Sequence, residues 1–367
     1  MRNFAILICI SLFSMKSIAY LAFVKPKIDF SYSQIKADSE VTNMPRITSQ
    51  DGLGICYAHV AATMMQAENC RKLKSDCANL PESELFSPLD LSRIHRPADG
   101  KAISEDLSSY HGLYVGGGDP HDVALIGALG TKEAASESCL SLDKILSKMN
   151  SRGETEEAQK NLWARLKMQF DEAKKEASSK AGCDECINNI YTTAADKALP
   201  EVEKNLNLKV DNIKVAKAFA AETFNKFLDD LLGASECRRP SQMVAFENHE
   251  NVKYEMFPKN ANASPKEIKE KVRDIIKKTG RPVALANICL GNENAKDCKN
   301  ENSHAVVIAG YREICKSPND CRYSFKVVNS WGKSWQDQFD GGWVDADTLL
   351  KHTKIAPDIL GWFADKK

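Results

Sequence analysis

No sign of charge dominates this sequence: 50 lysines and arginines balance 50 aspartates and glutamates over 367 residues. That balance removes the general attraction for polyphosphate backbones and anionic lipid surfaces, and nucleic acid is not an expected partner. Internal repeats and low-complexity tracts are also missing, and with 43% hydrophobic and 27% charged residues the chain is neither disordered nor fibrous. Its length suits two or three domains. Beyond the first twenty residues no apolar run approaches the roughly 20 residues that a membrane-spanning helix needs. A stable membrane anchor is therefore not expected.

The exception is at the start, where Met1 and Arg2 precede an almost unbroken apolar run from Phe4 to Phe13. The run is too short to span a bilayer, and Ser17 and Ala19 stand at the small-residue positions that precede a signal-peptidase cut. Residues 1–19 read as a secretory signal peptide, cut after Ala19, with the rest exported to the periplasm or the medium. Cys9 lies inside the run with no small residue directly before it, which argues against a lipoprotein anchor.

Export changes the reading of 12 cysteines, because thiols outside the cytosol are oxidised in pairs. Removing Cys9 leaves an odd number, so one thiol is left over when the rest pair, and the odd one out is Cys56. Short loops make 70 with 77, 289 with 298 and 315 with 321 natural local pairs. Cys183 and Cys186 have the spacing of a redox pair, but no alternating strand and helix pattern surrounds them. A structural disulfide or half of a metal site is the better reading, and a thiol-disulfide oxidoreductase the weakest.

Three zones follow the leader. Residues 20–140 mix short apolar segments with glycine and proline punctuation, including Gly116-Gly117-Gly118, and contain one stretch, Ile55 to Gln66, that is apolar on most helical faces. Residues 141–236 are rich in lysine, glutamate and alanine. Glycine is scarce there, with Gly153 alone before the break at Gly182. Leu162, Leu166, Met168 and Phe170 mark one helical arm, and Phe219, Phe224, Phe227, Leu228 and Leu231 a second, so the zone reads as a helical hairpin with Cys183 and Cys186 at its tip. Cys139 and Cys237 flank its base, and a bond between them would staple it as a discrete insertion. Residues 237–367 turn to strand-like segments at Pro282 to Leu290, His304 to Tyr311 and Tyr323 to Asn329.

Chemistry enters at residues far apart in the chain. Cys56 opens the apolar helix, where backbone N–H groups and the helix dipole favour a thiolate. Thiolate attack on a carbonyl also needs a base, an orienter and oxyanion donors. His304 begins one apolar strand, and Asn329-Ser330-Trp331-Gly332 ends another. His59, one helical turn after Cys56, reads as a core residue.

Gln50 six residues before Cys56-Tyr57-Ala58, His304-Ala305-Val306 with Gly310-Tyr311 behind it, and Asn329-Ser330-Trp331-Gly332 followed by Trp335 together resemble the papain family of cysteine proteases. The resemblance implies an α+β, papain-like two-domain fold, with a helical domain carrying Cys56, a β-barrel-like domain carrying His304 and Asn329, and a cleft between them. It implies Cys56 as nucleophile, His304 as the base that pairs with it, Asn329 as orienter of the imidazole, and Gln50 as oxyanion donor beside the Cys56 amide. Trp331 would cover the bond between Asn329 and His304 and line the substrate site, and Gly117 and Gly118 match a substrate-binding edge. Gly280-Arg281-Pro282-Val283 resembles a family strand. His304 follows Cys56 at more than the family's roughly 130 to 150 residues, and setting residues 141–236 aside restores that interval.

The chain also departs from the pattern. Leu53 replaces a cysteine, which removes a disulfide beside the nucleophile; Tyr57 replaces a tryptophan and Gln336 a glycine. The stretch from Ala19 to Cys56 is too short for a long inhibitory pro-segment. The expected function is a secreted cysteine endopeptidase that needs neither metal nor cofactor and acts on protein or peptide substrates. The alternative is a catalytically silent module binding peptides or a partner. For the charged hairpin, a solvated helical pair competes with a partner or regulatory role.

Overall fold

The computed structural model describes residues 22–25, 34–95, 112–260, 262–290 and 303–366. The leader expected over residues 1–19 and the proposed partner of Cys289, Cys298, lie outside them. The chain is α+β, with long helices in its first two-thirds and an antiparallel sheet whose strands, Gln34–Glu40 apart, come after residue 250. It divides into two compact units. The first holds Asn43–Tyr254, Ser330–Lys333 and Phe363–Lys367; the second holds the chain up to Thr42, Glu255–Asn329 and Ser334–Trp362.

In the first unit, α1 (Cys56–Leu73) extends the expected apolar stretch by several residues and is buried along most of its length. Its last turn is closed by Lys74 in the left-handed region and by the Cys70–Cys77 disulfide. The expected hairpin is built from α2 (Glu156–Ser178) and α3 (Asp184–Asn205), which meet at Gly182, φ +91°, and the Cys183–Cys186 disulfide. Thr155 caps α2 with its hydroxyl, and Glu156 and Glu157 complement the positive end. The phenylalanines expected on the second arm belong instead to two further helices, α4 (Asn212–Phe219) and α5 (Phe224–Leu232). Asp211 and Thr223 each cap a new helix start, which is why one long arm does not form. Phe170 of α2 meets Phe227 at 5.3 Å between ring centroids, and Phe219 meets Phe227 at 5.0 Å, giving these helices their own aromatic core. The Cys139–Cys237 disulfide closes their base.

The sheet contains β1 (Gln34–Glu40), β4 (Val252–Phe257), β5 (Val283–Cys289), β6 (Ser303–Ser317), β7 (Asp320–Val328), β8 (Trp343–Asp345) and β9 (Leu360–Asp365). A separate short pair joins β2 (Glu133–Ala135) to β3 (Met243–Ala245). The large sheet runs β4-β9-β5-β6-β7-β8, and β1 joins the later half of β6. The three expected strands correspond to β5, β6 and β7. β6 runs further than expected, through Cys315, whose disulfide to Cys321 closes the turn into β7. β1, with its polar sequence, carries no strand signature. In the second unit, α6 (Pro265–Thr279) packs against the sheet, with a complete capping box between Ser264 and Glu267 at its start. Among the described residues no helix is long and apolar enough to cross a membrane.

Candidate active site

The first unit assembles five of the expected site residues. Cys56 is the first residue of α1, a buried thiol, and the helix has no acidic residue in its first turn to compete for its positive end. Tyr57 turns its ring into the core, and its hydroxyl donates to the carbonyls of Tyr114, at 2.7 Å, and Ser92. The glycine run lies against this helix start: Gly116 pairs with Gly54, and a Cβ on Gly118 would stand 2.7 Å from the Tyr57 ring. Gly117 has φ +89°, a conformation that favours glycine. Gly118 thus lets the chain pass close beside the start of α1.

Gln50 is held on both ends of its carboxamide. Its Nε2 donates to the Leu53 carbonyl at 2.9 Å, and its Oε1 accepts from the Ser330 hydroxyl at 2.6 Å. Because a carbonyl only accepts, the Leu53 contact fixes which end is the amide nitrogen. The Gln50 N–H also donates to the Ser330 carbonyl, and Ser49 pairs with Trp331, so the segment before Cys56 and the Asn-Ser-Trp-Gly segment form one antiparallel contact. His59, at 4% exposure, is a core residue as expected, with Nδ1 2.7 Å from the Thr48 hydroxyl. Ser330 and Thr48 carry no site role in the sequence reading. Ser330 stood inside the recognised motif, but only the fold reveals which residue it grips.

The second unit holds the other pair. His304 Nε2 lies 2.9 Å from Asn329 Oδ1, with both residues 2% exposed. Burial pulls the imidazole down to about 4, against the opposing pull of the Asn329 bond. Phe23 stands edge-on to the His304 ring at 6.3 Å and to Trp335 at 5.1 Å, a contact with no signal in sequence because Phe23 belongs to no periodic segment. Gln336, where the family pattern has glycine, donates from Nε2 to the carbonyls of Val327 and Gly341, each at 2.7 Å, and so fixes the turn before β8. Cys56 and His304 belong to different units.

No family model matches the chain, and no curated protein matches it. Solved structures do. A recombinant stem bromelain precursor is 12% identical, over 96% of this chain and 81% of that one, with a TM-score of 0.40. Xylellain, a cysteine protease from Xylella fastidiosa, is 13% identical over 94% and 92%, at 0.40. Digestive procathepsin L 3 of Tenebrio molitor larval midgut is 14% identical over 95% and 78%, at 0.39. The structures it is similar to are papain-like cysteine proteases.

A histidine whose folded pKa lies below its unfolded value makes stability depend on acid. With Cys56 replaced by alanine, so that no thiolate can act as counter-charge, the unfolded chain takes up a proton at His304 between pH 6.5 and about 4 that the folded chain refuses, and stability falls as pH falls through that window. The full effect is on the order of 3 kcal/mol. Glu137, pushed up to about 8 mainly by burial, works in the opposite sense, since its protonated form favours the folded state at low pH. Urea unfolding of Cys56→Ala and of Cys56→Ala/His304→Phe at pH 7 and pH 4 isolates the histidine: the double variant should lose less stability on acidification by that amount. Parallel losses would mean that His304 titrates normally.

Proposed function

We propose that this chain is an exported cysteine peptidase that hydrolyses peptide bonds through an acyl-enzyme. The observation that carries the reading is the buried 2.9 Å bond from His304 Nε2 to a neutral carboxamide, Asn329, at the positions where the motif requires them. A carboxylate orienter would suit a triad that starts neutral; a carboxamide suits one that stores its charge as thiolate and imidazolium. Burial disfavours a charged imidazole by itself, so the proposed thiolate of Cys56 is the counter-charge that the base needs. The four disulfides among the described residues fit an oxidising compartment, and the apolar leader supplies the route.

In the reaction the Cys56 thiolate attacks the peptide carbonyl. The oxyanion accepts from the Gln50 Nε2 hydrogen not engaged by Leu53 and from the Cys56 amide, and His304 gives its proton to the departing amine. Water, deprotonated by His304, then opens the thioester and releases the acid. In this reading Gly117 and Gly118 are the edge along which a substrate backbone would lie, and Trp331 would line the substrate site.

Intact mass after incubation with an epoxysuccinyl peptide tests the reading. One adduct on wild type, lost in Cys56→Ala and strongly reduced in His304→Ala, is the expected result. The competing reading, a silent peptide-binding module, is favoured by one observation, the burial of His304 beneath Phe23. It predicts no adduct on folded protein.

A further inference from the structure

The loop between Gln50 and Cys56 is gripped by the helical insertion. Gln159 on the second turn of α2 is 1% exposed, and its Oε1 accepts the backbone N–H of Gly52. Its Nε2 donates to Asn150 Oδ1 at 3.1 Å, so the carboxamide is oriented from behind. The approach is close enough to exclude any side chain at Gly52: a Cβ there would lie 2.7 Å from the Gln159 Cβ and 2.8 Å from the Glu156 carbonyl. Asp51, next to Gly52 in the same loop, stands in the left-handed region at φ +47°. On its other side the same loop is fixed through Gln50 by Ser330.

We infer that the insertion is a positioning element for the oxyanion donor and that Gln159 is the positioning residue through which it acts. The inference rests on the peptidase reading, in which Gln50 donates to the developing oxyanion. Gly52 is two residues from Gln50 and four from Cys56, so a shift of its amide turns the Gln50 backbone and the helix start together. Oxyanion donors act through preorganisation, and a donor that has to find its place in the transition state loses most of its effect. Gln159 touches neither substrate nor nucleophile in this scheme. It freezes the loop before the reaction begins. The separate aromatic core of α2, α4 and α5 supplies the rigidity that such a brace requires.

The test is a double-mutant cycle between Gln159→Met, which keeps side-chain length but removes both hydrogen bonds, and Gln50→Ala. The readout is steady-state hydrolysis of the fluorogenic peptide amide that wild type cleaves best from a panel. Gln159→Met should lower kcat about tenfold with KM within about twofold, because an oxyanion donor acts on the transition state and not on ground-state binding. In the Gln50→Ala background the same change should have almost no further effect on kcat. Epoxysuccinyl alkylation of Cys56, which needs the thiolate and not the oxyanion donor, should keep its wild-type rate in Gln159→Met. Equal losses in both backgrounds, or an unchanged kcat, overturn the inference and leave the peptidase reading standing. A wild type that neither hydrolyses an amide nor forms an adduct overturns both. Should Gln159→Met not fold, Gly52→Ala perturbs the same contact from the loop side and takes its place in the cycle, with the same outcomes.

Discussion

Replacing Cys56 by alanine is expected to abolish peptide hydrolysis, with a loss of about 10⁴-fold or more in kcat, and His304→Ala to fall nearly as far. The size follows from the chemistry. Without the thiolate no acyl-enzyme can form, and water at neutral pH is too weak a nucleophile to use the remaining machinery. Without the imidazole the leaving amine has no proton donor and the thioester no base. Nucleophile and base act as a unit, so the double variant should lie no lower than Cys56→Ala alone; the losses do not add. Gln50→Ala should cost less, about 10²-fold, because the Cys56 amide still serves the oxyanion. Cys56 is a small buried residue, and alanine fills nearly the same space, so the folded state should survive the change. Steady-state hydrolysis of a fluorogenic peptide amide beside near-ultraviolet circular dichroism separates the two effects. Retained hydrolysis in folded Cys56→Ala would assign the reaction to another nucleophile and sink the proposal.

How far the sequence foretold this molecule depends on the range of each interaction. The apolar stretch at Cys56, the break at Gly182 and the strands around His304 and Val327 were legible because helical and strand periodicity is a local property. The disulfides 70–77 and 315–321 were legible because short loops close cheaply. Periodicity alone carries through Ala220 to Glu222 and so places the phenylalanines on one arm; the caps at Asp211 and Thr223 show where the backbone breaks. Within the candidate site, motif order named Cys56, His304, Asn329 and Gln50 but could not show what holds them. Ser330 meets Gln50 across 280 residues, and Gln159 meets Gly52 across 107. Such contacts leave no local pattern. Gln159 in particular looks like any polar residue on a charged helix until the packing shows it buried.

Removing the Cys139–Cys237 disulfide, by alanine at both positions, is expected to destabilise the first unit by about 4 to 5 kcal/mol. The bond spans a sequence separation of 98 residues, so cutting it returns to the unfolded chain the entropy of an open loop of about that length. The base of the insertion has other ties. Arg238 donates to Asp90 at 2.8 Å and to Asp229 at 2.7 Å, and both carboxylates are almost fully buried. Burial alone would push Asp90 up, but Arg93 and Arg238 bring it below the usual carboxylate range. That cluster holds the folded base together without constraining the unfolded chain, so it cannot replace the disulfide's contribution. The loss should reach function through Gly52: an insertion that opens more often frees the loop beneath Gln159, and kcat should fall before the melting temperature is approached. Urea unfolding, with native-state hydrogen exchange across residues 156–232, measures both the global cost and the local opening. A cost below about 1 kcal/mol would mean that the ion cluster and the aromatic core alone fix the insertion, and would leave the disulfide without a role in bracing the loop.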